Sequence, residues 1–159
     1  PAEMLSAVNF SLGERRIEAQ FVSLIYAVWD DNRRTLQVAN SGLPRPVRCT
    51  KGEIQVIEAT GLPLGLFDEV EYDEFSFKTK PGDLFVLFSD GILDARDAAG
   101  ELFGRKRVEE IISANWDSSA SEVVQAIFQA VSAHSGGAES FDDETVVAMK
   151  VKGNSGTKK

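Results

Sequence analysis

Sulfur and imidazole are scarce in this 159-residue chain, which has one cysteine, Cys49, and one histidine, His134. A single cysteine excludes an intrachain disulfide and a thiolate zinc site. A single histidine excludes multi-histidine metal centres, so any transition-metal site must rely on carboxylates. A lone thiol fits a reducing compartment, and the expected location is cytoplasmic. Positive charge is also short: 17 Lys and Arg stand against 25 Asp and Glu, a net charge of −8. Nucleic acid and anionic membranes need basic patches, so neither is an expected partner. The apolar runs reach about six residues, far short of the roughly 20 that span a bilayer, so no membrane insertion is expected. The start, Pro1-Ala2-Glu3, has no charged-then-apolar leader pattern. No Gly-x-Ser-x-Gly elbow occurs, which argues against a Ser-His-Asp hydrolase built on His134.

What remains is an ordinary globular composition, 43% hydrophobic and 26% charged. The length matches one domain with a sizeable core. Met4, Leu5, Val8 and Leu12 recur at helical spacing, predicting a helix over 2–13 ended by Gly13. Residues 21–29 are apolar, β-branched and aromatic, and predict a strand buried on both faces, or nearly so. The polar turn 30–34 leads into an alternating strand, 35–40, so 21–40 reads as a hairpin. Residues 46–49 and 54–58 flank a second turn, 50–53.

The loop 60–66 is apolar but broken by glycines and a proline, so it should be pinned to the body. A strand is predicted over 72–78, and a central strand over the continuous apolar run 84–88. Helices follow over about 105–114 and 118–134, the second stopped by Gly136-Gly137, and a last strand covers 145–149. Residues 153–159 read as a flexible tail. Hairpins between terminal helices indicate an antiparallel α+β fold rather than alternating βαβ units.

Two acidic positions stand out. Asp90 follows the most apolar strand and precedes Gly91, which lets the backbone turn sharply. Asp142-Asp143 precedes the last strand, and adjacent carboxylates favour a cation or a basic neighbour. Either these are solvated turn aspartates, or neighbouring strand ends bring Asp90 and Asp142 together on a hard divalent ion such as Mg²⁺ or Mn²⁺. The acidic stretch 68–74 is a solvated edge or a docking surface for a basic partner. Arg105-Lys106-Arg107 is a solvated helix start or a contact for a phosphoprotein.

Six segments occur in an order that resembles a known family: Ala39-Asn40-Ser41-Gly42-Leu43-Pro44, Gly61-Leu62-Pro63-Leu64-Gly65, Pro81-Gly82-Asp83, the run Leu84 to Asp94 containing Ser89-Asp90-Gly91, Gly100-Glu101-Leu102-Phe103-Gly104, and Asp142-Asp143-Glu144-Thr145-Val146-Val147. The set is similar to bacterial Ser/Thr phosphatases of the SpoIIE and RsbU type, within the metal-dependent type 2C (PPM) family. The resemblance covers about residues 2–151. It implies a sandwich of antiparallel sheets flanked by helices, and a two-metal site holding Mn²⁺ or Mg²⁺.

In that pattern Asp90 and Asp142 match metal ligands. Asp143 would lie beside them or act as a weaker ligand, and Gly91 would complete the Asp-Gly motif. The reaction implied is direct, in-line hydrolysis by activated water, with no catalytic side chain beyond the metal ligands and no organic cofactor. The substrate implied is a phosphoserine or phosphothreonine protein in bacterial signalling, such as an anti-sigma-factor antagonist.

The family's earlier aspartate motif has no counterpart before residue 21, and Leu43 stands where relatives often carry histidine. Residues 1–152 therefore read as the C-terminal portion of a single phosphatase domain, with little activity expected in isolation. The alternative is a catalytically incomplete module that acts by binding. Open sheet edges make a homodimer a further expectation.

Overall fold

In the computed structural model, residues 1–14, 21–137 and 142–153 are described. The chain runs α1 (Ala2–Glu14), β1 (Leu24–Asp30), β2 (Thr35–Ser41), β3 (Val47–Thr50), β4 (Glu53–Val56), β5 (Phe75–Lys78), β6 (Leu84–Phe88), α2 (Asp90–Asp94), α3 (Gly104–Ala114), α4 (Ala120–Ser135) and β7 (Val146–Lys150). These elements form two compact units that interleave along the sequence, one from 1–45 and 57–79, the other from 46–56 and 80 onward.

The first unit holds a three-stranded antiparallel sheet of order β1-β2-β5. Asp30 Oδ1 accepts the Arg33 N–H at 2.9 Å, tightening the turn between β1 and β2. Leu5 of α1 packs with Ala39, Leu64 and Tyr72 in this unit's core. Asn9, 2% exposed, straps the helix to the loop beneath it. Its Nδ2 donates to the Phe67 carbonyl at 3.0 Å, and its Oδ1 accepts the Gly65 N–H at 2.8 Å. Val22 and Leu64 exchange two backbone hydrogen bonds at 3.0 and 2.8 Å, so the apolar loop 60–66 is pinned, as its composition implies.

Asn40 is fully buried, with Nδ2 donating to the carbonyls of Leu43 and Ala59 and Oδ1 accepting the Leu43 N–H. It ties the end of β2 to two loops. Gly42 has φ +87°, and a Cβ there would stand 2.7 Å from the Ser23 hydroxyl, so glycine is required.

Three expectations need correction in this unit. Strand 21–29 shortens to β1 and is mostly half-buried rather than buried on both faces, because among the described residues it lies at a sheet edge, paired with β2. Strand 72–78 shortens to β5, because Tyr72 leaves the ladder and buries its ring in the core. Helix α1 runs through Gly13 to Glu14 rather than stopping at the glycine.

The second unit holds a four-stranded antiparallel sheet of order β4-β3-β6-β7, with β6 central as its apolar run predicts. Lys51 and Gly52 both have positive φ, 52° and 85°, the geometry of a two-residue hairpin turn matched to strand twist. Val86 and Phe88 of β6 pack with Val108 and Ile112 of α3 and Val123, Ile127 and Val131 of α4. α4 starts at a capping box, with Ser119 accepting the Glu122 N–H and Glu122 reaching back, and ends at Gly136 with φ 63°.

Asp83, 1% exposed, anchors the start of β6. Its carboxylate accepts hydrogen bonds from Arg48 at 2.6 Å, Thr50 at 2.9 Å and the Lys80 N–H at 2.9 Å. Burial alone would raise its pKa, but these donors and the Arg48 charge outweigh burial and hold it below the usual carboxylate range. Cys49 is buried in β3, and that burial is the main reason its thiol is raised above its ordinary value. A buried, protonated thiol is unreactive. The predicted tail, 153–159, lies outside the described residues except for Gly153.

Candidate functional site

The β6–β7 ladder ends at the pair Phe88–Val146. Beyond it the two chains stay joined. The Ser89 N–H donates to the Thr145 carbonyl at 3.0 Å, the Ser89 hydroxyl donates to the Asp143 carbonyl at 2.7 Å, and the same hydroxyl accepts the Thr145 N–H at 2.9 Å. One serine side chain thus extends the ladder past the last residue pair and fixes where Asp142-Asp143 lies. Nothing in the sequence around Ser89 signals this role, which depends on a segment 54 residues further along the chain.

Asp90 opens α2 directly after Ser89, at the end of the helix where a negative charge is favoured. Gly91 follows and is buried. A Cβ on Gly91 would stand 2.5 Å from the Asp143 carbonyl oxygen, 3.0 Å from its carbonyl carbon and 3.3 Å from the Asp142 carbonyl oxygen. The Asp142-Asp143 backbone therefore rests on the face of α2 that glycine leaves open. The structure brings the Asp90-Gly91 and Asp142-Asp143 segments together at one end of one sheet, which is the juxtaposition the sequence required for a shared ion.

Asp90, Asp142 and Asp143 are all exposed. Asp142 Oδ1 accepts the Asp143 N–H at 2.8 Å, which orients that carboxylate. Oxygen-only donors in an open position suit a hard divalent cation. Among the described residues, however, no group of three or more His, Cys, Asp or Glu side chains is gathered closely enough to hold a metal. The oxygen donors of these side chains are of the type that suits Mg²⁺ or Mn²⁺.

His134 lies away from this chemistry. Its Nε2 is 2.9 Å from the Glu101 carbonyl oxygen, and its ring meets the Phe103 ring edge-on at 5.4 Å. It holds a loop rather than activating a nucleophile. No helix among the described residues is long and apolar enough to cross a membrane.

The antiparallel sheets and helices have the fold of the type 2C phosphatases. The SiaA-PP2C domain of Pseudomonas aeruginosa superposes with a TM-score of 0.83 at 21% identity, covering 96% of this chain and 60% of that one. PPM phosphatases, the class of these structural neighbours, use metal ions. The family model described as Stage II sporulation protein E (SpoIIE) matches residues 1–152, and the chain belongs to that family. Protein IcfG of Synechocystis sp. is 31% identical over 132 residues, which is 82% of this chain and 21% of that protein. The phosphoserine phosphatase RsbU of Bacillus subtilis is 26% identical over 133 residues, 82% of this chain and 39% of that protein. The chain thus spans well under half the length of both curated relatives.

Proposed function

We propose that this chain carries part of a metal-dependent phosphatase site that removes phosphate from phosphoserine or phosphothreonine in a regulatory protein of bacterial signalling. An anti-sigma-factor antagonist is the substrate class we favour, and the cytoplasm the compartment. Asp90 and Asp142 would hold Mn²⁺ or Mg²⁺. Asp143 would lie beside them as a weaker ligand, and Gly91 would let the two segments approach. Residues 1–152 would form the C-terminal portion of one phosphatase domain, with a further carboxylate supplied from outside the described donor set.

The observation that carries the reading is the contact of Gly91 with the Asp142-Asp143 backbone, because it sets two carboxylate-bearing segments side by side at a strand end. When bound, the ions would neutralise phosphoryl oxygens and lower the pKa of water. The chain's own contribution is to hold the carboxylates. Ser89 fixes the Asp143 segment, and α2 presents Asp90. Relatives named as phosphatases support the same reaction class. Two copies would pair along exposed strand edges, and a monomeric mass in light scattering at high concentration would refute that pairing.

The test is Asp90→Asn and Asp142→Asn in the full-length protein. Both should abolish Mn²⁺-dependent hydrolysis of p-nitrophenyl phosphate and weaken Mn²⁺ binding in calorimetry, while the thermal midpoint is retained. Undiminished hydrolysis in either variant would remove that residue from the site. Binding of a partner protein that persists without any hydrolysis by the unaltered protein would favour the binding-module reading instead.

A further inference from the structure

Segment 95–103 lies between α2 and α3 and buries little, yet its backbone is held from several directions. Arg96 and Leu102 form an antiparallel bridge, and the Phe103 N–H closes the base on the Ala95 carbonyl at 2.8 Å. Asp97 Oδ1 accepts the N–H groups of Ala99 and Glu101, both at 2.9 Å, which fixes the tip. Arg107 Nη1 of α3 donates to the Leu102 and Phe103 carbonyls, both at 2.8 Å. From α4, His134 Nε2 sits 2.9 Å from the Glu101 carbonyl. Phe103 is buried, whereas Arg96, Glu101 and Leu102 point to solvent, with Leu102 43% exposed.

A surface loop with no binding task is ordinarily mobile, and loops that carry function are positioned by a rigid scaffold. Here two helices and an internal carboxylate immobilise a hairpin, Arg96 also donates to the Gly100 carbonyl at 3.3 Å and Glu101 stands 4.0 Å from Arg107, which leaves Leu102 as its exposed apolar side chain. A contact surface ordered before binding loses less entropy when its partner arrives. The hairpin also sits close to the proposed site. α2 has five residues, so it spans about 7 Å. Adding the two residue steps from Asp94 to Arg96 and one interstrand spacing places Leu102 within roughly 20 Å of Asp90. That is the span of about six residues of extended peptide.

We propose that hairpin 95–103 is a specificity element for the phosphoprotein substrate, with Leu102 receiving an apolar side chain that lies within about six residues of the phosphorylated serine or threonine. The inference rests on the phosphatase reading above and adds the substrate feature that the site selects. Arg96, on the strand paired with Leu102, gives the same surface a positive charge suited to acidic residues flanking the apolar one.

The probes are thirteen-residue peptides carrying a central non-hydrolysable phosphonate analogue of phosphoserine, with a single leucine scanned over the six positions on either side. Fluorescence polarisation reads their binding to the full-length protein without requiring turnover. Leucine at one or more positions should tighten binding at least fivefold over the alanine peptide, and Leu102→Asp should erase that preference while leaving the alanine peptide unchanged. Leu102→Ala, a milder change at an exposed position, should reduce the preference in the same direction. Absence of any leucine preference in the unaltered protein, or an equal preference in Leu102→Asp, overturns the proposal. Hydrolysis of p-nitrophenyl phosphate, too small to reach the hairpin, should stay within twofold in both variants. If Asp90→Asn leaves that hydrolysis intact, it is the site reading that fails, and the two failures are thereby told apart.

Discussion

Gly91→Ala separates two opposed forces. Gly91 lies inside α2 and does not have a positive φ. In an unencumbered helix, alanine would stabilise by about 1 kcal/mol over glycine. Here the added Cβ would meet the Asp143 carbonyl oxygen at 2.5 Å and its carbonyl carbon at 3.0 Å, both backbone atoms. Neither can swing aside as a side chain can, so the Asp142-Asp143 segment must move away or α2 must tilt. Overpacking of this kind costs about 1–3 kcal/mol. For a chain of this size, a net loss of 1 kcal/mol lowers the thermal midpoint by about 2–4 °C.

The effect on the site should be larger than the effect on the fold. A displacement of about 1 Å in positioned groups can lower a rate by about 10²-fold. The expected outcome is a modest drop in thermal midpoint, markedly weaker Mn²⁺ binding in calorimetry and a rate loss of about two orders of magnitude. Gly100→Ala is the control, because a Cβ there meets nothing within 4 Å and the only cost is its φ of +85°. It should lower the midpoint without touching Mn²⁺ affinity. A Gly91→Ala protein that melts higher and binds Mn²⁺ unchanged would refute the close-approach argument.

Further expectations concern the ties around β6 and β2. Ser89→Ala removes one donor and one acceptor between the β6 and β7 ends, and should cost about 1–2 kcal/mol, read by chemical denaturation, with faster amide exchange at Thr145. Asn40→Ala strips partners from three backbone groups around a fully buried side chain, a loss of about 2–4 kcal/mol. An unchanged denaturation midpoint would refute the role given to Asn40. Asp83 has its folded pKa held below the unfolded value, so its contribution is present above the unfolded carboxylate pKa and is lost as pH falls through the lowered folded one. Thermal midpoints should therefore decline below about pH 4, and Asp83→Asn should lower the midpoint at neutral pH while flattening that acid decline.

Strand β6 was legible because a continuous apolar run has few readings, whereas the sharp turn expected at Asp90-Gly91 is instead the start of α2. The two hairpins followed from turn chemistry, and α4 from its capping box and glycine stop. The contact between Gly91 and Asp143 could not be read, since it depends on a register between strands far apart in sequence. The hydrogen bonding of Asn40, at the end of strand 35–40, and of Asp83, beside Pro81-Gly82, could not be read, because nothing local distinguishes a buried hydrogen-bonding hub from a solvated one. Tyr72 was misread for the opposite reason. Alternation continued through it, but the α1 core offered its ring a better place than the ladder did.

The interleaving of the two units has a consequence for synthesis. The β3–β4 hairpin leaves the ribosome well before β6, the strand that completes its hydrogen bonding, and residues 57–79 of the other unit come between. At about 5–20 residues per second, the roughly 30 intervening residues take about 1.5–6 s to appear. During that interval a two-stranded hairpin, marginal alone in water, must keep Val47 and Cys49 from other chains. Slower translation through this stretch lengthens the time for which the β3–β4 hairpin lacks its β6 neighbour.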